Sequence, residues 1–317
     1  MAKTFASAGD TRVQRATLTP LADGVYGYIS NFDPNTGVII GEDECLVIDC
    51  RATPVLAREM IADIQTVTDK PITSLFLTHY HAVRVLGRAA FTDVKEVICS
   101  ANTAGLIEER GEQDYASEVR RFPRLFQGVE EVPGLTQPTQ TFETSLTYTV
   151  GGRDVLLAHP GKGHTRGDSI AWLENEKVLF AGDLVEDHCA LYCGDAYIQE
   201  WRDTLKALAT YPAEVVVPGR GAVIRGRDNI QQAIALTTGF LDDLIRLTTE
   251  SLEAGKDLKG TFDHVYASMT PKYGTWPIYE HCIPFNVSRA FDELKGITEP
   301  TIWTAERDQD MWNALQG

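Results

Sequence analysis

Residues 74–87 read SLFLTHYHAVRVLG. Leu75, Phe76 and Leu77 form an apolar run of the length expected for a buried strand, and Thr78, His79, Tyr80 and His81 follow it directly. Two histidines one residue apart, just past a strand end, can aim their imidazoles at one point. Neutral imidazole is the commonest metal-ligating side chain. Taken alone, an H-x-H pair reads first as two structural or surface loop histidines, because short motifs recur by chance. The neighbouring segments have to decide.

Upstream of this stretch the hydrophobic period is two. Residues 25–30 (VYGYIS) and 36–40 (TGVII) read as strands, and 45–49 (CLVID) as a third, reached through the turn 41–44. Thr53 and Pro54 suit the N-cap and first position of a helix. Leu56, Met60, Ile61 and Ile64 keep helical spacing, with an end expected near Thr68.

Downstream, a short helical piece is expected over 84–91 and a strand over 96–100, followed by two helices over 102–110 and 113–126. Residues 142–150 and 154–158 read as a hairpin about Gly151 and Gly152. Residues 169–174 and 177–181 read as strands, 199–210 as a helix and 215–217 as a short strand. Strand–helix alternation of this kind predicts an α/β sheet with helices packed on it. The last third differs: a long helix over 228–254, a loop-rich aromatic segment over 262–285, and short helices over 287–294 and 303–315. Residues 1–12 read as a loose tail.

The chain has 317 residues, 43% hydrophobic and 23% charged, with a formal net charge of −16. That length and composition supply a sizeable core. The acidic balance argues against nucleic-acid and anionic-membrane partners, which require positive surface. Residues 1–18 lack the apolar core of a secretory signal, and no apolar run approaches membrane-spanning length. The six cysteines (45, 50, 99, 189, 193 and 282) are scattered in apolar contexts. This pattern suits reduced thiols and a cytoplasmic location. Cys189 and Cys193 are the only close pair, so a zinc knuckle is not expected.

Four polar loops each follow an expected strand: Thr78-His79-Tyr80-His81-Ala82-Val83-Arg84, Gly163-His164-Thr165-Arg166-Gly167-Asp168-Ser169, Ala181-Gly182-Asp183, and Val217-Pro218-Gly219-Arg220-Gly221. Their order and contexts resemble the metallo-β-lactamase fold superfamily. Its pattern runs H-x-H-x-D-H, then a His in a G-H-T-like loop, an Asp after Gly, and a His in P-G-H-G. The resemblance covers roughly residues 17–240. It implies a four-layer αββα sandwich of the α/β (α+β) class over residues 13–240, binding one or two metal ions at one sheet edge. Residues 241–317 then form a C-terminal helical and aromatic extension.

The match fails at three positions. Val83 stands for the motif Asp, Arg84 for the second motif His, and Arg220 for the last His. In binuclear members these belong to the second metal position. The resemblance therefore implies that His79, His81, His164 and Asp183 hold one ion, Zn2+ first. Fe2+ on His79, His164 and Asp183, a facial-triad pattern, is the alternative, and a non-catalytic relative is a third reading. Guanidinium groups match carboxylates in a fork and stay charged. Arg84 and Arg220 are thus expected to replace the second cation, either by holding Asp183 or by docking an anionic group of substrate.

The expected activity is hydrolysis of a small anionic ester, lactone, thioester or amide, with a homodimer as the assembly to test. His188, five residues past Asp183, is a candidate general acid or base; Glu186 and Asp187 lie beside it. Asp49 and Asp168 are expected to orient site loops. His281, in the aromatic segment with Tyr273, Trp276, Tyr279 and Phe285, is a candidate replacement ligand.

Overall fold

Residues 17–48 form four strands joined antiparallel: β1 (Thr17–Ala22), β2 (Val25–Ile29), β3 (Thr36–Ile40) and β4 (Cys45–Ile48). Three further strands, β5 (Ile72–Phe76), β6 (Glu96–Ser100) and β7 (Gln140–Phe142), continue the sheet in parallel from β4. A second sheet runs β8 (Ser145–Val150), β9 (Arg153–Ala158), β10 (Ile170–Leu173), β11 (Val178–Gly182), β12 (Val215–Pro218) and β13 (Ile224–Arg225). These are features of a computed structural model that describes residues 3–10, 14–30 and 32–316.

The continuous apolar runs arise because both faces of each sheet are covered. Ile39, Leu46, Ile48 and Phe76 meet Val155, Leu157, Ala171 and Phe180 of the second sheet. Their neighbours Val38, Ile40, Val47 and Leu75 face the other way. There they lie under helices α1 (Pro54–Ile64) and α3 (Ala101–Arg121). Thr53 caps α1, its hydroxyl accepting from Leu56 N at 3.3 Å; removing such a cap costs about 1 kcal/mol.

The outer face of the second sheet is covered by α4 (Ile198–Leu208), α5 (Arg227–Glu253), α6 (Leu258–Tyr273), α7 (Tyr279–Leu294) and α8 (Ala305–Leu315). The result is an αββα sandwich with a helical C-terminal extension. β5, in the first sheet, and β9, β11 and β12, in the second, all end at one edge, where the loops bearing His79, His164, Asp183 and Arg220 meet.

Several expectations are corrected. Helix α3 is one helix rather than two. Gly111, which invites a break, instead admits Leu135, whose Cδ1 would lie 3.0 Å from a Cβ at that position. The strand expected over 142–150 is two strands, β7 and β8, in different sheets, so the chain crosses between layers at residues 143–144. The aromatic segment is helical, despite Pro271 and Pro284 inside α6 and α7.

Helix α5 runs without interruption through residue 240. Residues 3–10 are docked rather than loose. Phe5 is buried against Trp312 at 5.1 Å between ring centroids, and Trp312 Nε1 donates to the Thr4 carbonyl at 3.0 Å. The rest of the expected tail, residues 1–2 and 11–12, lies outside the described residues.

Candidate metal centre

The three histidines converge because each sits on a loop just past a strand and is pinned by one ring nitrogen. His79 precedes the short helix α2 (Ala82–Val85). The Thr78 hydroxyl donates to Asp49 Oδ2 at 2.9 Å, so it can only accept from His79 Nδ1, 3.0 Å away. His164 Nδ1 donates to the Tyr192 carbonyl at 2.8 Å. His81 Nε2 donates to Asp195 Oδ2 at 3.2 Å.

The opposite nitrogens face one another. His81 Nδ1 and His164 Nε2 are 2.9 Å apart, and buried His79 Nε2 has no partner. One ring nitrogen from each of the three residues lies within 4.8 Å of the others. Asp183 Oδ2 stands 3.7 Å from His79 Nε2 and 3.5 Å from His164 Nε2.

Two lone pairs do not sit 2.9 Å apart without positive charge between them. His79 and His164 are held neutral. Burial pushes His79 far down and His164 to about 3, the latter aided by His81. Burial also works against charge on His81, but Asp114, the Asp195 bond and Glu118 together carry it up to about 9. Either a proton shared from His81 or a metal ion satisfies the gap. Bare imidazole nitrogens whose far sides are fixed by carboxylate, hydroxyl and carbonyl are the usual dress of metal ligands. The residues fit one ion.

Asp183 turns its other side to the arginines. Arg84 Nη2 reaches Asp183 Oδ1, and Arg220 Nη1 reaches Asp183 Oδ2 at 2.9 Å. Burial alone would raise the Asp183 pKa; Arg84, then Arg220, then the two histidines hold it well below the carboxylate range. Arg84 also donates to Asp49 Oδ2 at 3.0 Å and to the carbonyls of Asn35 and Gly219 at 2.7 and 2.9 Å. Both terminal nitrogens are thereby filled, so holding Asp183 is what Arg84 does; no terminal N–H remains to dock a substrate anion.

Arg220 Nη1 also meets Glu186 Oε1 at 3.2 Å. Gly219 is required here, because a side chain in its place would collide with the Asp183 carboxylate. Asp49 accepts from Thr78 N at 2.8 Å and Asp168 from Thr165 N at 2.8 Å, each fixing a histidine loop.

Two candidates stand apart. The His188 side chain is 65% exposed and pairs loosely with Asp187 at 3.8 Å. His281 is buried, lies 4.0 Å from the Phe122 ring centroid at a tilt of 43°, and has no hydrogen-bond partner on either ring nitrogen. Neither belongs to the histidine cluster.

Sequence reasoning missed the acidic and basic groups behind His81. Asp195 takes Tyr80 OH at 2.6 Å and Arg110 Nη1 at 3.2 Å as well as His81. Asp114 and Glu118 accept from Ala82 N at 2.7 Å and Val83 N at 3.0 Å. The readable signal was the charged face of α3: Arg110, Asp114, Glu118 and Arg121 recur at helical spacing and are all buried.

The family model described as the metallo-beta-lactamase superfamily matches residues 30–220. The chain belongs to the metallo-beta-lactamase superfamily. A type 2 metallo-beta-lactamase of Bacteroides fragilis is 27% identical over 221 residues, covering 65% of this chain and 79% of that protein. The type 2 enzyme of Bacillus sp. (strain 170) is 26% identical over 60% of this chain and 68% of its own length.

Among solved structures, a metallo-beta-lactamase from Pontibacter korlensis superposes with a TM-score of 0.58. It is 24% identical and covers 72% of this chain and 99% of its own. The sec-alkylsulfatase Pisa1 from Pseudomonas sp. superposes with a TM-score of 0.71. It is 16% identical and covers 89% of this chain but half of its own. That 89% exceeds what residues 1–240 could supply, so part of the helical extension is shared in fold.

Metallo-beta-lactamase superfamily membership makes this a chain of a hydrolase family with a histidine and aspartate set able to bind metal. Among the described residues, no helix is long and apolar enough to cross a membrane.

Proposed function

We propose that the protein is a hydrolase dependent on one metal ion, zinc first. His79 Nε2, His81 Nδ1 and His164 Nε2 would hold the ion, with Asp183 as fourth ligand or water-positioning group. The observation that supports this most is the convergence of three bare ring nitrogens whose far nitrogens are all tied to protein. Zinc in such a set supplies a water acidified to near neutrality and polarises a carbonyl.

Arg84 and Arg220 act in place of a second cation. They keep Asp183 ionised in a buried site and fix the direction of its Oδ2 toward the histidines. The Asp195 carboxylate holds the proton on His81 Nε2, which leaves Nδ1 free to ligate. The substrate class is a small anionic ester, lactone, thioester or amide, bound in a cytoplasmic setting.

The triad, Asp183 and both arginines are buried, and the segment that bears Tyr192 and Asp195 packs directly on His164 and His81. Asn286 clamps that segment through Cys193 N at 2.7 Å and the Leu191 carbonyl at 2.8 Å.

Metal quantification on protein purified without added metal tests the proposal. One zinc per chain, lost in His79→Ala together with esterase or lactonase turnover, is the expected result. One iron per chain would replace the reading with oxygen chemistry, and no metal under any loading would overturn it.

A further inference from the structure

Arg51 is an odd cation in this molecule. It is 7% exposed, sits at a positive φ of 68°, and forms no ion pair among the described residues. Its Nη1 donates to the Pro34 carbonyl at 3.1 Å, and its guanidinium carbon lies 5.5 Å from the Tyr28 ring centroid. Its Nε is buried without a partner. A buried unpaired charge is costly, and burial pushes the Arg51 pKa down accordingly.

Arg51 lines a cleft of 370 Å³ whose walls include Gln14, Leu56, Glu59, Arg124 and Leu125. The other charges there are already matched. Arg124 forks Asp33 at 2.8 and 2.7 Å, and Asp63 takes Tyr28 OH at 2.9 Å and Arg15 at 3.4 Å. Glu59 is exposed on the rim, where water and salt screen it. The Gln14 Oε1 atom is also buried without a partner. Leu56 and Leu125 offer an apolar wall.

We propose that this cleft binds a small molecule bearing a carboxylate, sulfate or phosphate group, with the anion taken by the Arg51 guanidinium and the body of the ligand lying on Leu56 and Leu125. Guanidinium recognises such oxyanions through paired N–H donors. The site is separate from the histidine cluster but shares a loop with it. Arg51 and Arg84 hold the adjacent carbonyls of Pro34 and Asn35, and the Asn35 amide holds the carbonyls of Pro218 and Gly221 on either side of Arg220. A ligand on Arg51 therefore sits behind the loop that positions the arginines on Asp183.

Isothermal titration of the full chain with inorganic sulfate, inorganic phosphate and benzoate, at constant ionic strength in chloride, tests the site. At least one of the three should bind saturably at one site per chain. Binding should weaken tenfold or more in Arg51→Gln and in Leu56→Glu, which places a carboxylate in the cleft. It should be unchanged in Arg58→Gln, on the exposed face of α1. Circular dichroism establishes that each variant is folded; where Arg51→Gln is not, Leu56→Glu decides. Absence of saturable binding by all three probes, or wild-type binding in a folded Arg51→Gln or Leu56→Glu, overturns the proposal.

Discussion

Asp183 has two sides, and they solve the same electrostatic problem differently. On one side stand three imidazoles whose inward nitrogens require a cation from solution or the proton that His81 can carry. On the other stand two guanidiniums, cations that the chain carries covalently and cannot release. The first side is an exchangeable site and the second a permanent one. On the function proposed above, arginine in place of a second ion would trade Lewis acidity for fixed charge: Arg84 and Arg220 hold a carboxylate in place but generate no nucleophile. Chemistry is therefore expected on the histidine side and structural rigidity on the arginine side.

The sharpest way to break this contrast is Arg84→Met. It leaves Asp183 and Asp49 buried with one cation fewer, and breaking a buried pair from one partner costs about 3–5 kcal/mol. Urea denaturation should show a loss of that order. A loss near zero would mean that the arginine side is not structural.

The histidine side should respond to metal instead. A ligand that binds only the native state at 100 times its Kd stabilises by about 2.7 kcal/mol. Zinc at that excess should raise wild-type stability by this amount. It should have little effect on His79→Ala, which also loses the bound ion by elemental analysis. Asp195→Asn probes the same side more gently. Weakening the outer hold on a ligating histidine costs about 10–100-fold in metal affinity, readable by competition with a chelator. Unchanged affinity would remove Asp195 from the site.

Much of this contrast was legible in residues 74–87 and the three later loops, because loops after strands carry their ligands in a fixed order. His79, His81, His164 and Asp183 are local features of those loops. So are the substitutions at Val83, Arg84 and Arg220. What was not legible depends on tertiary approach. Asp195 and Tyr192 reach the histidines only because Asn286, nearly a hundred residues on, clamps their segment. The charged face of α3 points inward only because His81 and the C-terminal helices cover it. His188 read as a site residue from proximity in sequence to Asp183, yet a positive φ of 49° and an exposed side chain turn it outward. The aromatic segment reads as loop-rich from its local composition, with Pro271, Pro277 and Pro284 inside it, and helix packing onto the second sheet overrides that local signal at Pro271 and Pro284.

The last expected effect lies on the arginine side and is visible only as pH dependence. Glu186 is buried beside Asp183. Burial first, then the Asp183 charge, raises its pKa from the ordinary 4.5 to about 8, against the pull of Arg220. A carboxyl raised in the folded state binds a proton more tightly there than in the unfolded chain. Its contribution to stability is therefore complete below about pH 4.5 and declines as pH rises toward 8. Glu186→Gln keeps an acceptor for Arg220 N and removes the titration. Relative to wild type, the variant should thus gain stability as pH rises from 5 to 8, by up to about 3 kcal/mol. Parallel denaturation curves at pH 5, 6.5 and 8 measure this. A difference that stays flat, or runs the other way, would mean that Glu186 is ionised throughout and that Arg220 is shared between two full carboxylates rather than committed to Asp183.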